Sequence, residues 1–294
     1  MSKEMKEIIL GHLDLWTKLI LYDDPFWHRA VIEHLSHNLD RGLRRFAGNA
    51  RELRDKLRMH EGVLTGEFPL WYIIQQPEKW ELHTLEIVVP ISGFRQVVEY
   101  LENMDRTKTT IGAVREPKRT LKPAAFHEWR HIAYGTESIL VYQSADDALS
   151  ALPSHTGTHL MNGITADLAV VLYPAVIMQG YAVYPTVRIN NYILDKLEEY
   201  SEYGIRGVVS GAVIEDMRRG CKGSVLCSKT SRRVGDMESM VIQIGRGNRE
   251  EDFQRIRNST MTWRLGGRGC ENSECYLPMD DTWGTLALGE VEWE

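Results

Sequence analysis

Gly62-Val63-Leu64-Thr65-Gly66-Glu67-Phe68, continuing through the apolar run Pro69–Gln75 to Thr84-Leu85-Glu86-Ile87-Val88-Val89-Pro90, is the stretch that decides the fold. Val63–Thr65 reads as a short strand that stops at the Gly66 turn. Phe68–Gln75 reads as an apolar helix closed by Pro77, and Thr84–Pro90 as a strand buried on both faces. Gly93–Met104 then places Phe94, Val97, Val98 and Leu101 at helical spacing. Strand, helix, strand, helix over about forty residues predicts an α/β (α+β) fold around a mixed sheet.

Working outward, residues 3–22 place Met5, Ile8, Ile9, Leu13, Trp16, Leu19 and Ile20 at helical spacing, which predicts one amphipathic helix. Asp24-Pro25 reads as the start of a second helix through Trp27, Val31 and Leu35. A third is expected from Asn49 to Met59. On the far side, Glu137–Gln143 reads as a strand, Asp146–Leu152 as a helix, and Ile189–Tyr203 as a long amphipathic helix ending at Gly204. Short strands are expected at Ile205–Val209 and Ser239–Ile244. The organisation read from this is a helical region over 1–57, an α/β domain over 58–210, and a Cys- and Gly-rich β region over 211–294.

Composition sets the outer limits. The chain has 294 residues, 43% hydrophobic and 26% charged, with 35 Lys+Arg against 41 Asp+Glu and a formal net charge of −6. That apolar content suits a packed core and excludes a disordered chain. The negative balance argues against a nucleic-acid partner, which needs a basic field, although Arg41–Arg58 and Arg115–Lys122 are locally basic. The apolar run Ala166–Met178 carries Asp167 and Pro174 and falls short of the ~20 residues that span a bilayer, so no membrane partner is expected. Acidic residues run through the first apolar segment, and cysteines are few; both point to an intracellular, cytoplasmic protein with a small molecule or another protein as partner.

Several motifs carry chemistry. His127-Glu128-Trp129-Arg130-His131 fits H-E-x-x-H; on a helix His127 and His131 would share a face and hold zinc, with Glu128 as the base that activates water. Cys221 and Cys227, and Cys270 and Cys275, form two pairs in Gly-rich turns, a candidate structural zinc site; disulfides or plain thiols are the alternatives. His155 and His159 stand just before a buried apolar segment and are candidates to line a ligand pocket. Trp263 reads as a core residue.

The chain resembles a group of fungal (basidiomycete) proteins with a polymerase-β-type nucleotidyltransferase-like domain. The residues that carry the resemblance are Leu39–Phe46, Gly62–Glu67, His83–Val89, the distinctive run from His155-Thr156-Gly157-Thr158-His159-Leu160-Met161-Asn162 to Leu172-Tyr173-Pro174, and Arg232-Arg233-Val234-Gly235-Asp236. The resemblance implies a Gly-Ser turn at a helix start that holds a triphosphate, and an Asp-x-Asp strand that holds Mg²⁺ with the nucleotide. Here those positions are Gly66-Glu67 and Thr84-x-Glu86, and Ile139–Gln143 offers no third carboxylate. The expectation is therefore a nucleotidyltransferase-like protein with an eroded metal triad. It would act as a ligand- or partner-binding module or a repurposed enzyme, its pocket lined by Gly66, Glu67, Thr84, Glu86, His155 and His159, with Glu86 as the surviving catalytic carboxylate. A zinc-dependent hydrolase and a non-enzymatic interaction scaffold are the alternatives.

Overall fold

A computed structural model describes residues 1–75, 80–104, 129–134, 136–145, 147–184, 191–208, 226, 230–245, 247, 251, 253–254, 256 and 262–265. The chain opens with helices α1 (Lys3–Gly11), α2 (Leu15–Tyr22), α3 (His28–Leu43) and α4 (Ala50–Met59). The single helix expected over 3–22 is two. Asp14 caps a new start, its carboxylate accepting from the Thr17 N–H at 2.8 Å, so the chain restarts there. Asp24 likewise turns the backbone by accepting from Phe26 N at 2.7 Å, and α3 begins only at His28. Asn49 caps α4 in the ordinary way, accepting from Glu52 N.

Then come β1 (Val63–Thr65), α5 (Glu67–Ile74), β2 (Thr84–Pro90), α6 (Ile91–Glu102), β3 (Trp129–Tyr134), β4 (Glu137–Ser144), a 3₁₀ segment Ala148–Ser154, a 3₁₀ turn Thr158–Leu160, β5 (Asn162–Ile164) and β6 (Leu168–Val171). The apolar run after 166 is broken by Pro174, which starts the short α7 (Pro174–Met178). A parallel pair, β7 (Tyr181–Val183) and β8 (Arg206–Val208), brackets α8 (Asn191–Glu202); β9 (Arg232–Arg233), β10 (Met240–Gln243) and β11 (Thr262–Trp263) follow.

Among the described residues the main sheet has seven strands in the order β10-β6-β5-β1-β2-β4-β3. β1 runs antiparallel to β2 and β5, while β2 and β4 are parallel, with α6 and β3 between them in the chain, so the sheet is mixed and the α/β class holds. Period-2 alternation divides its faces. Leu64, Leu85, Ile87, Val89, Ile139 and Val141 join a core shared with α1–α6, and that core is continuous across residue 57. Val63, Val88, Leu140, Tyr142 and Val170 pack on the other face with the 3₁₀ segment Ala148–Ser154, α7 and Trp263. Trp263 is fully buried, and its indole N–H donates to Tyr173 Oη at 3.0 Å.

One helical side chain is out of place by burial. Lys18 of α2 is 2% exposed and donates to the side-chain carbonyl of Gln75, the left-handed residue that closes α5. Burial pushes its ammonium down to about 8, against the attraction of Asp14 and Glu7, and Arg41 of α3 adds repulsion. A base whose folded-state value lies below its unfolded one costs stability below the folded value. That cost is relieved as pH rises from about 8 to the unfolded value near 10.4. Lys18→Met is therefore expected to stabilise the protein at neutral pH by about 1–2 kcal/mol. It should also remove a slope of up to about 1.4 kcal/mol per pH unit between pH 8 and 10. Urea unfolding of both proteins across that range measures it; parallel curves for the two would show that Lys18 stays charged in the fold.

Candidate functional site

β1 delivers Thr65 to the turn, and Thr65 lies directly opposite Glu86 of β2 in the antiparallel register. Gly66, the next residue, adopts φ 75° and ψ −138°, a conformation that favours glycine, and α5 starts at Glu67. Gly66, Glu67 and Glu86 thus gather at one end of β1. Thr84, two residues before Glu86, shares its face, and its hydroxyl lies 3.1 Å from Ser138 Oγ of β4. The same face at β1, β2 and β4 also carries Val63, Val88, Pro90, Leu140, Tyr142 and Ser144.

Both histidines of the 155–159 stretch are brought here, and both are completely buried. His155 Nε2 is 2.5 Å from Thr65 Oγ1, which also donates to Asn162 O at 3.3 Å. His159 Nε2 is 3.3 Å from the Tyr184 hydroxyl, its ring meets Tyr200 edge-on at 4.5 Å, and its carbonyl accepts from Asn162 Nδ2. Burial, reinforced by His155 and by Lys196, pushes His159 down to about 3. It is neutral at any working pH and is not poised as a proton donor near neutrality. Its Nδ1 is packed against the Cα of Gly157, where an added Cβ would lie 2.8 Å away, so this edge of the ring has no room for a ligand.

Glu67 is the centre of the arrangement. Its Oε1 accepts from Lys196 Nζ at 2.6 Å and from the Tyr200 hydroxyl at 2.8 Å, both from α8. Lys196 also donates to Glu199 at 2.9 Å. Burial works against the ammonium, and Glu67 and Glu199 more than overcome it, holding Lys196 above its ordinary value. A carboxylate with its own counter-cation therefore occupies the helix start, where a phosphate would need that same positive field. Pro69, in the first turn of α5, removes a further amide donor from the cradle.

The residues do not fit a metal–nucleotide centre. Glu86 is the one carboxylate on its face of β1, β2 and β4, and two divalent cations between phosphates call for several. Among the described residues no group of three or more His, Cys, Asp or Glu side chains is placed to hold a metal ion. Cys221, Cys227, Cys270 and Cys275 lie outside the described residues, as do His127 and Glu128. His131 is described, and it lies in the extended strand β3 opposite Leu140, so the helix that would put two imidazoles on one face is not formed at that end of the motif. Burial pushes its imidazole down in pKa.

Lys196, Tyr200, Thr65, Asn162 and Tyr184 are the members that sequence reading did not single out. The signal for Lys196 was its place four residues before Tyr200 on the inward face of an amphipathic helix. Elsewhere, α1 and α3 flank an open cleft of about 850 Å³ lined by charged groups that include Glu4, Glu7, Arg29, Glu33, Asp40 and Arg51. Among the described residues no helix is long and apolar enough to cross a membrane. Comparison with protein-family models, with curated proteins and with solved structures gives no match to this chain.

Proposed function

We propose that this chain is a nucleotidyltransferase-like protein that has lost metal-dependent transfer and serves as a ligand- or partner-binding module. The observation that carries the reading is the Glu67 carboxylate at the start of α5, neutralised from within by Lys196 and hydrogen-bonded by Tyr200. A triphosphate placed there would meet a negative charge a few ångströms away and would have to displace an ion pair whose members are only 8% and 17% exposed. A single carboxylate, Glu86, on its face of β1, β2 and β4, with Thr84 engaged by Ser138, supports the same conclusion. The charged cleft between α1 and α3 falls within the volume range of ligand sites and offers a surface for such a module.

Thermal unfolding with ATP, CTP, GTP and UTP, each at about 1 mM with excess Mg²⁺, tests this, because any ligand that binds the native state alone must raise Tm. The expected result is no shift with any of the four. A rise of about 3 °C with one of them, or incorporation of label from an α-labelled nucleotide into any acceptor, would overturn the reading.

A further inference from the structure

Arg232 opens β9 and is 2% exposed, so its charge has to be met from within the fold. One edge of the guanidinium is met fully. Nε and Nη2 pair two-armed with Asp236, and Nη2 also donates to Leu172 O at 3.0 Å and Ser239 Oγ at 3.2 Å. The guanidinium carbon lies 4.8 Å from the centre of the Tyr173 ring and 5.6 Å from that of Trp263. Ion pair and rings together hold the group in one orientation.

The other edge is different. Nη1 points away from Asp236, is shut off from water, and finds no acceptor within hydrogen-bond geometry among the described residues. Tyr173 stands beside it. The phenol oxygen accepts the Trp263 indole N–H at 3.0 Å, and its own O–H reaches no acceptor among the described residues. Burial raises that phenol above its ordinary value, against the pull of Trp263 and Arg232, so it keeps its proton and acts as a donor. The Asp236 carboxylate cannot serve, because it already receives Ser239 Oγ at 2.8 Å, Glu238 N at 3.2 Å and Arg233 N at 3.3 Å besides Arg232. Anything bound between Nη1 and the phenol therefore faces N–H and O–H hydrogens. A water there would have to aim its own two hydrogens at donors; a monoatomic anion accepts from both groups and donates nothing. Tyr173 and Trp263 are as buried as Arg232, so an occupant is enclosed, which rules out an anionic group carried on a larger molecule.

We propose that Arg232 Nη1 and the Tyr173 hydroxyl form a buried site for one small monoanion, chloride in ordinary salt. The site is independent of the α5 turn and of the function argued from it. It joins the chain just past β6 to the β9–β11 pair, so the ion becomes part of what holds those strands in place.

Bromide substitutes for chloride and scatters X-rays anomalously. Crystals of the wild-type protein grown in sodium bromide are expected to show an anomalous peak within hydrogen-bond reach of both Arg232 Nη1 and Tyr173 Oη. Density there without an anomalous signal, as a water would give, or no density at all, overturns the proposal. Stability gives the second readout. Replacing sodium gluconate by about 0.2 M sodium chloride is expected to raise the wild-type Tm by about 3 °C, levelling off as chloride is added. Tyr173→Phe keeps the ring over the guanidinium but removes the O–H, and its chloride response should fall below about 1 °C. Arg233→Gln, which removes an exposed charge next door, should respond as wild type does. An equal response in Tyr173→Phe, or a rise in wild type that never levels off, shows salt acting on the whole surface and overturns the proposal.

Discussion

Arg54→Met is expected to lower the unfolding free energy by about 3–5 kcal/mol, the range for leaving a buried ionic network without one partner. The guanidinium is 7% exposed and ties four parts of the chain together. From α4 it donates to Ala166 O at 3.0 and 2.7 Å, to Ser36 Oγ and Asp40 Oδ1 of α3 at 2.8 Å each, and to Ile244 O just past β10 at 3.4 Å. Methionine fills similar space but satisfies none of these acceptors, and the loss of each buried partner costs more than the bond itself is worth. Arg51→Met is the control. Its side chain is 87% exposed and only 4.0 Å from Asp40, so its effect should stay within about 0.5 kcal/mol. Urea midpoints of the two variants decide the matter: equal midpoints would mean that Arg54 does not hold the sheet edge to the helices.

The same network has a pH signature. Burial opposes the charge of Asp167, but its hydrogen bond and attraction to Arg58, with Arg54 beyond, hold its carboxyl below the ordinary value. A carboxylate depressed in the fold contributes stability that is present above its unfolded value, near 3.9, and lost as pH falls through the folded one. Acid unfolding should therefore loosen the β5–β6 turn, where Asp167 sits.

Lys196→Met is expected to cost about 2–4 kcal/mol, toward the lower end because Glu67 keeps Tyr200 as a donor and is 17% exposed. The informative quantity is the coupling. Glu67→Gln in the Lys196→Met background should recover most of the loss, because the uncompensated charge disappears with it. A double-mutant cycle read by urea unfolding gives the interaction energy directly, and additive single effects would show that the pair contributes nothing as a pair.

These two networks mark the limit of what the sequence made legible. The alternation from Val63 to Glu102 was readable because strand period and helix period each run long enough in sequence to show themselves. The break at Asp14 was not, because apolar spacing continues smoothly from Ile9 to Trp16 and only the capping hydrogen bond reveals the restart. Glu67 was recognisable as a departure at a helix start, but its cation is 129 positions away and nothing local announces it. Thr65 and His155 are separated by 90 positions in the same way. Arg54 reads as one more arginine in a basic stretch; only packing turns it inward. The H-E-x-x-H segment is placed at one end only: His131 joins a strand ladder, while His127 and Glu128 lie outside the described residues.

The central position of β1 has a consequence for biogenesis. On one side β1 meets β2 almost at once, but on the other it waits for β5, with Leu64 paired to Ile164, about 100 residues further along the chain. At roughly 5–20 residues per second, a ribosome takes about 5–20 s to supply that neighbour. Through that interval the nascent protein presents Val63-Leu64-Thr65 as an open margin, able to recruit another chain. A pause or truncation between residues 104 and 162 should therefore yield aggregates rather than a soluble fragment.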